Sequence, residues 1–154
     1  MRRSLIFGCF SLLALPAVAR AQQARSPGEV VAANAAFDMA VSRRDLPALE
    51  ALCLQDESVT AVHPRDRAPV VGWVAVRRSW EETFGRFAEL SVTMPEPRVR
   101  LTGEAAIVVG LEKVMAKRAS DGAAVVFDAM TTNMFQRQGG RWLMVHHHAT
   151  MVPA

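Results

Sequence analysis

The chain has 154 residues, a formal net charge of +3 and a pI near 9.5; hydrophobic residues make up 51% of it, and tyrosine is absent. This length suits one domain with a packed core. The apolar content and the presence of only two cysteines exclude a disordered chain and a disulfide-stapled scaffold. The basic pI favours nucleic-acid binding only if the positive charge lies in the folded domain.

Residues 1–21 have the pattern of an export signal. Arg2-Arg3 precedes a short apolar run over 5–15, and Ala19-Arg20-Ala21 forms an A-x-A cleavage site. The run is too short to span a bilayer, which takes about 20 residues. We therefore expect a periplasmic or secreted protein whose mature domain is 22–154, with both Sec and twin-arginine export open. A buried N-terminal helix is the alternative.

Cleavage after Ala21 would remove three arginines and no acidic residue. The mature chain would keep 15 basic and 15 acidic residues, which gives it no net charge. Because nucleic-acid affinity depends on clustered positive charge, we expect no nucleic-acid partner. We also expect no membrane attachment once the apolar signal segment has been cleaved. Cys53 would be the single remaining cysteine, and we expect it to be a small buried apolar residue.

The first part of the mature domain is predicted to be mainly helical. After Pro27-Gly28, apolar residues at spacings of three and four predict a helix; they are Val30, Ala33, Phe37, Ala40 and Val41. Asp45 is expected to cap a second helix over Leu46 to Leu54. A third helix is predicted from about Trp73 to Phe87, and Ser58 to His63 is β-rich.

Five β-rich segments follow from Glu89 onward. Asp121-Gly122 and Gly139-Gly140 are strong two-residue hairpin signals. The segments are Leu90–Met94, Pro97–Leu101, Ala105–Arg118, Ala123–Arg137 and Arg141–Val152. Helices followed by an antiparallel meander predict an α+β fold.

Counting across these two hairpin turns places five polar side chains on one face of the sheet. They are Glu112, Thr131, Asn133, His146 and His148. The side chains that flank them are Phe127, Phe135, Trp142 and Met144, and those on the opposite face are Asp128, Met130 and His147. A one-residue bulge would exchange the two faces beyond it.

Polar groups among apolar side chains are typical of a small-molecule pocket, so this face predicts a ligand site. Its predicted lining residues are Glu112, Thr131, Asn133, His146, His148, Trp80, Phe135 and Met144. A buried polar network that only satisfies its own hydrogen bonds is the alternative. Because histidine titrates near neutrality and a nearby carboxyl could exchange protons with it, Glu112, His146 and His148 are the catalytic candidates.

A metal site is the other use for these histidines. His146 and His148 lie side by side on one strand, and His63 could add a third imidazole, a set that suits zinc or iron. No second motif has metal-ligand spacing, and the four methionines at 130, 134, 144 and 151 suit an adaptable apolar interior. We therefore predict no metal and no cofactor.

Three segments carry a family resemblance: Val59–Pro64, Val70–Trp80 and Thr132–Thr150. Together with the order of elements, they resemble the SnoaL-like branch of the nuclear transport factor 2-like superfamily over nearly the whole mature chain. The resemblance implies a cone-shaped α+β barrel, in which N-terminal helices pack on a curved antiparallel sheet around a pocket, and a homodimer formed through the sheet. The superfamily includes isomerases, cyclases, dehydratases and non-catalytic binders, so the fold does not assign a reaction.

Departures from the catalytic members narrow the choice. A ketosteroid isomerase-like site uses a tyrosine, and the dehydratase site of this superfamily uses paired tyrosines, so a chain without tyrosine has neither in its usual form. The tail over 146–150 is similar to the H-H-H-S-S ending of iota-class carbonic anhydrases, although Ala149 and Thr150 replace the serines and Met130 and Thr131 stand where that class has Arg-Tyr. We expect an exported small-molecule binder. The alternative is an enzyme using the same His/Glu cluster, either a carbonic anhydrase-like lyase or an isomerase or cyclase.

Overall fold

A computed structural model describes residues 26–153, so the predicted export signal at 1–21 lies outside the described residues. The helices are α1 (Pro27–Arg43), α2 (Leu46–Leu52) and α3 (Trp73–Gly85). The strands are β1 (Thr60–Val62), β2 (Val70–Val71), β3 (Phe87–Thr93), β4 (Arg98–Thr102), β5 (Ala105–Arg118), β6 (Ala124–Gln138) and β7 (Arg141–Met151). Over the range 26–153, no helix has the length and apolar character needed to cross a membrane.

Side-chain caps fix where the first two helices begin. Ser26 Oγ accepts a hydrogen bond from the Glu29 amide at 3.3 Å, and Asp45 Oδ1 accepts one from the Ala48 amide at 3.0 Å. The Asp45 carboxylate satisfies an amide of the first helical turn, and the Glu29 amide is shared between Ser26 Oγ and the Ser26 carbonyl at 3.1 Å. A proline follows each cap in the first turn, where its missing N–H costs nothing. The predicted capping role of Asp45 is therefore confirmed.

The strands form one curved, open sheet in the order β2-β1-β7-β6-β5-β3, and β4 pairs with the beginning of β5. Every pair is antiparallel except β1 with β7, in which Thr60 lies opposite His146. The α+β prediction is confirmed, with the correction that the sheet is mixed and not purely antiparallel. The parallel pair arises because β1 precedes the meander and is not joined to β7 by a hairpin turn, which would force antiparallel pairing.

Strand β5 changes partner along its length, from β4 over 105–109 to β3 over 113–118. Gly110 lies between these two regions, and Met94 crosses over it so closely that a Cβ on Gly110 would lie 2.5 Å from Met94 Sδ. Any larger residue at this position would have to displace the Met94 side chain. The crossing places Glu112 just beyond Gly110, on the face of the sheet that the helices cover.

The core lies between this inner face and the three helices. Its buried aromatic side chains are Phe37, Trp73, Trp80, Phe84, Phe135 and Trp142. Cys53 is buried and makes no disulfide within residues 26–153, and burial raises the pKa of its thiol to about 12. The prediction that Cys53 is a buried apolar residue is confirmed.

Candidate functional site

A cavity of about 440 Å³ lies between α1, α3 and the inner face of the sheet. Phe37, Trp80 and Phe127 are among its apolar wall residues, and Glu112 and His147 supply polar groups inside it. This volume lies within the range of about 300–1,000 Å³ that holds small ligands. Trp80 and Glu112 both line this cavity, in agreement with the prediction that they line a ligand site.

A β-bulge at Val145 determines which histidine enters the cavity. Phe135 pairs with Met144 but Met134 pairs with His146, so Val145 has no partner on β6. The side-chain alternation is therefore shifted by one residue beyond this point, and His147, which is 5% exposed, turns to the inner face opposite Asn133.

The prediction that His146 and His148 share a face with Glu112 is therefore wrong, as is the prediction that His147 points away. His146 Nδ1 contacts Thr60 Oγ1 at 2.6 Å and His148 Nε2 contacts Thr150 Oγ1 at 3.0 Å, both on the outer face. The pairing along the other edge of β7, the edge away from β6, accounts for the bulge. There the strand pairs first with the segment after α2, where Leu54 N donates to Met144 O at 2.9 Å, and then with β1.

Glu112, Thr131 and Asn133 lie on the inner face, as predicted, and all three are buried. The β5–β6 turn is longer than two residues, so Glu112 pairs with Ala129 rather than with Thr131. A shift of two residues preserves the side-chain face because the alternation has a period of two. The predicted face therefore survives an error in the predicted loop length.

A chain of side-chain hydrogen bonds holds His147. His147 Nδ1 lies 2.8 Å from Asn133 Oδ1, and Asn133 Nδ2 donates to Asn34 Oδ1 at 2.8 Å. Asn34 Nδ2 donates to Asp38 Oδ2 at 3.4 Å, and the same oxygen accepts from the Met94 amide. With both amides oriented by the carboxyl at the far end, the proton of a neutral His147 is assigned to Nδ1. Its Nε2 is then a hydrogen-bond acceptor.

The sequence prediction missed Asn34 and Asp38. They are four residues apart on α1, share its buried face with Val30 and Phe37, and are 1% and 5% exposed. The available signal was this polar i,i+4 pair inside an otherwise apolar helix face.

Burial controls the charge of both polar groups in the cavity. It lowers the pKa of His147 well below the ordinary histidine value, and the other histidines, beginning with His63, lower it further. It raises the pKa of Glu112 to about 8, an effect that the charge of Asp38 strengthens and the Thr131 hydroxyl opposes. Near pH 7, His147 is therefore neutral and Glu112 is mostly protonated.

Three buried oxygen atoms have no hydrogen-bond partner within the described part of the chain. They are Asp38 Oδ1, Glu112 Oε1 and Thr131 Oγ1. The Thr131 hydroxyl is close enough to Glu112 to affect its pKa but does not reach hydrogen-bond geometry with it. Burial also raises the pKa of Asp38 to about 7. Asp38 and Glu112 are therefore two interacting buried carboxyls, and neither is fully ionised near neutrality.

His63 lies toward the mouth of the cavity. Its Nε2 is 2.9 Å from Ser79 Oγ, and its ring meets Trp80 edge-on at a centroid distance of 4.5 Å. Burial lowers the pKa of His63; the charge of Asp66 raises it and that of Arg86 lowers it. Arg65 and Arg118 complete the charged residues at the mouth.

The structure separates the three metal candidates. His63 faces the cavity, whereas His146 and His148 lie on the outer face with their ring centroids 6.1 Å apart. Between residues 26 and 153, no group of three or more His, Cys, Asp or Glu side chains is arranged to hold a metal ion. Four further residues predicted to line the site are buried and do not contribute to the described cavity wall: Thr131, Asn133, Phe135 and Met144.

Similarity to known proteins supports the same fold. The SnoaL-like domain family matches residues 30–154. A candidate dehydratase of the NTF2-like family from Streptomyces avermitilis is 27% identical, with a TM-score of 0.76 over 82% of this chain and 97% of its own. An NTF2-like superfamily protein from Salmonella enterica serovar Typhimurium is 17% identical, with a TM-score of 0.75 over 90% and 95%.

A third similar structure comes from Thiobacillus denitrificans. It is a candidate association domain of calcium/calmodulin-dependent protein kinase type II, 26% identical, with a TM-score of 0.66 over 80% of this chain and 94% of its own. No protein of curated function shows significant sequence similarity. The family match covers most of the chain, and the helices and strands follow the predicted order. This chain therefore belongs to the SnoaL-like branch of the nuclear transport factor 2-like superfamily.

Proposed function

We propose that this protein binds a small, mostly apolar molecule that carries a hydroxyl group and places it between Glu112 and His147. The main observation behind this proposal is that one apolar cavity contains both the protonated carboxyl of Glu112 and the neutral imidazole of His147. A protonated carboxyl donates a hydrogen bond, and the free Nε2 of His147 accepts one. A hydroxyl does both, so it matches the hydrogen-bonding needs of the two residues.

The unpartnered Glu112 oxygen supports a ligand over a self-contained network. Glu112 is 3% exposed and lines the cavity, yet its Oε1 has no partner in residues 26–153. A buried polar atom without a partner costs about 1–3 kcal/mol. A bound hydroxyl or an ordered water would remove this cost, and the apolar surroundings favour a ligand that is apolar elsewhere.

Isothermal titration calorimetry with two matched neutral probes tests the proposal. 4-Propylphenol and propylbenzene differ only in one hydroxyl group. We expect the purified protein to bind 4-propylphenol about tenfold more tightly, because a hydroxyl bonded at both Glu112 and His147 contributes roughly 1.4 kcal/mol more than the bare ring. Equal affinities, or no binding of either probe at millimolar concentration, would contradict the proposal.

The same pair of residues supports a second candidate function, proton transfer. His147 Nε2 could take a proton from a carbon atom of the ligand while Glu112 gives its proton to a leaving hydroxyl, so that a double bond forms and water departs. An isomerase reaction would use the same base with Glu112 protonating a carbonyl oxygen. The 27% identity to a candidate dehydratase favours the first of these reactions.

Deuterium exchange separates the enzyme from the simple binder. In D₂O, a general base at His147 should exchange the α-protons of 4-phenyl-2-butanone faster than buffer does, as followed by proton NMR. His147→Phe should return the rate to the buffer background, and His148→Phe, on the outer face, should not. Exchange at background rate in the unchanged protein would leave binding as the function.

We also propose that the protein is exported and forms a homodimer. The export proposal is based on the signal pattern over 1–21, and N-terminal sequencing of the periplasmic protein should begin at Gln22.

The homodimer proposal is based on an apolar stripe of exposed side chains on the outer face of β5 and β6. The stripe consists of Ile107, Val109, Leu111, Met115, Val126, Met130 and Met134. Exposed apolar side chains that cluster in this way, here on both sides of the Lys113–Asp128 ion pair, typically mark an interface.

A further inference from the structure

The mouth of the cavity carries an excess of positive charge. Arg65, Arg86 and Arg118 surround it together with a single acid, Asp66. Arg118 is paired with Asp121 at 2.9 Å, and Asp66 accepts the His63 amide at 2.9 Å. Arg65 and Arg86 form no ion pair with any residue from 26 to 153.

The backbone fixes Arg86 next to Arg118. Ala119 N donates a hydrogen bond to Arg86 O at 2.8 Å, which ties the β5–β6 turn to the link between α3 and β3. The charge of Arg86 also lowers the pKa of His63, whose ring lines the cavity. The guanidinium of Arg86 is therefore close enough to the opening to act on a group held there.

The interior of the cavity disfavours any ion. Phe37, Trp80 and Phe127 surround the space, and burial favours the neutral forms of both Glu112 and His147. An ionised group placed there would lose its hydration without gaining a counter-charge. A charged ligand can therefore enter in only one orientation, with its ion at the mouth.

We propose that the ligand is an amphipathic carboxylate, with its carboxylate at Arg86 and its neighbouring arginines, its apolar body in the cavity and its hydroxyl between Glu112 and His147. This inference rests on the proposed function and adds the charge and direction of the ligand. Arginine suits a carboxylate because its planar fork donates two parallel hydrogen bonds to the two oxygens. A hydroxylated aromatic carboxylate combines these three features at a size that suits the cavity.

A matched pair of probes tests the inference by calorimetry. 3-(4-Hydroxyphenyl)propionate has the ring, hydroxyl and chain length of 4-propylphenol, but a carboxylate replaces its terminal methyl group. We expect the carboxylate to bind three- to tenfold more tightly at low salt (an order-of-magnitude range), because contacts at an exposed mouth are partly screened by water. The preference should largely vanish at about 0.5 M NaCl.

Variants at the mouth identify the residue responsible. Arg86→Ala should reduce the ratio of the two affinities to about one, whereas Arg86→Lys should keep part of the preference because it keeps the charge. Arg98→Ala is the matched control, since Arg98 is an exposed arginine of β4, beside the opposite end of β5. Taking the ratio for each variant cancels any general loss of folded protein. Arg65→Ala provides a second test if Arg86→Ala does not fold.

The outcomes distinguish this inference from the proposed function. If the protein binds 4-propylphenol but prefers the carboxylate no more than the phenol, the mouth does not select an anion and the inference is overturned, while binding at Glu112 and His147 stands. The inference is also overturned if neither Arg86→Ala nor Arg65→Ala lowers the ratio. If neither probe binds, both proposals fail together.

Discussion

His147 donates a hydrogen bond from Nδ1 to Asn133 Oδ1 across the β6–β7 pair, at 2.8 Å, and both residues are buried. Asn133 in turn donates to Asn34 on α1 at 2.8 Å, so the Asn133 amide links the sheet to helix α1. The same contact sets the imidazole so that Nε2 is free toward the cavity. The stability of the fold and the chemistry of the site therefore depend on one side chain.

Replacing Asn133 with leucine should destabilise the protein by about 2–4 kcal/mol. Leucine has a similar size but leaves both His147 Nδ1 and Asn34 Oδ1 buried without a partner, and each lost partner costs about 1–3 kcal/mol. Urea unfolding at pH 7 measures the change. Thr132→Ala, one position along the same strand and on the outer face, should change the free energy of unfolding by less than about 0.5 kcal/mol. A similar value for Asn133→Leu would mean that the network contributes little.

Local sequence patterns were sufficient for most of this fold and for part of the site. Strand alternation placed Glu112, Thr131 and Asn133 correctly, even though the turn is longer than predicted, because the resulting shift was two residues. The histidines failed because the bulge at Val145 depends on residues 53, 54 and 60–62, which meet β7 only in the folded chain. Such a contact between distant parts of the chain leaves no signal in the spacing of β7 itself.

The stability of the protein should fall as the pH rises from about 6.5 to 8. Native Glu112 keeps its proton up to about pH 8, whereas the unfolded chain loses it near the usual value of 4.5, so the unfolded state binds fewer protons across this window. Asp38 acts in the same direction up to about pH 7. Burial lowers the pKa values of His63, His146 and His147, so these three oppose the fall, chiefly below about pH 7. The expected net fall is about 1–2 kcal/mol.

Glu112→Gln should remove most of this slope, because glutamine has no proton to lose. Glu57→Gln, a change at an exposed glutamate, should keep the slope of the unchanged protein. Urea unfolding at several pH values between 6.5 and 8 gives both slopes. Parallel curves for Glu112→Gln and the unchanged protein would place the titrating group elsewhere.

His147, and not His148, should determine the preference for a hydroxyl-bearing ligand. His147→Phe keeps an aromatic ring against Phe37 and Trp80 but removes the accepting Nε2. The ratio of 4-propylphenol to propylbenzene affinity should fall from about ten to between one and three. His148→Phe changes an exposed ring on the outer face and should leave the ratio unchanged. A loss of preference in His148→Phe alone would place the site on the outer face.

A single charge at the centre of the outer stripe should separate the proposed dimer. Leu111 pairs with Met130 there, beside the Lys113–Asp128 ion pair, and Met130 is 58% exposed. In a two-fold symmetric dimer the same surface meets itself, so Met130→Lys would place two like charges in one apolar contact. Light scattering after size exclusion should give twice the chain mass for the unchanged protein and the single chain mass for the variant.

The thermal midpoint provides the control for this experiment. Because Met130 is exposed within one chain, Met130→Lys should lower the midpoint only by the amount that dimerisation contributes, which varies with protein concentration. Val74→Lys adds the same charge at an 84% exposed site on α3 and should leave the dimer mass unchanged. A dimer mass for Met130→Lys would show that the stripe is not the interface. A single chain mass for the unchanged protein at micromolar concentration would leave the stripe exposed, and the homodimer proposal would fail.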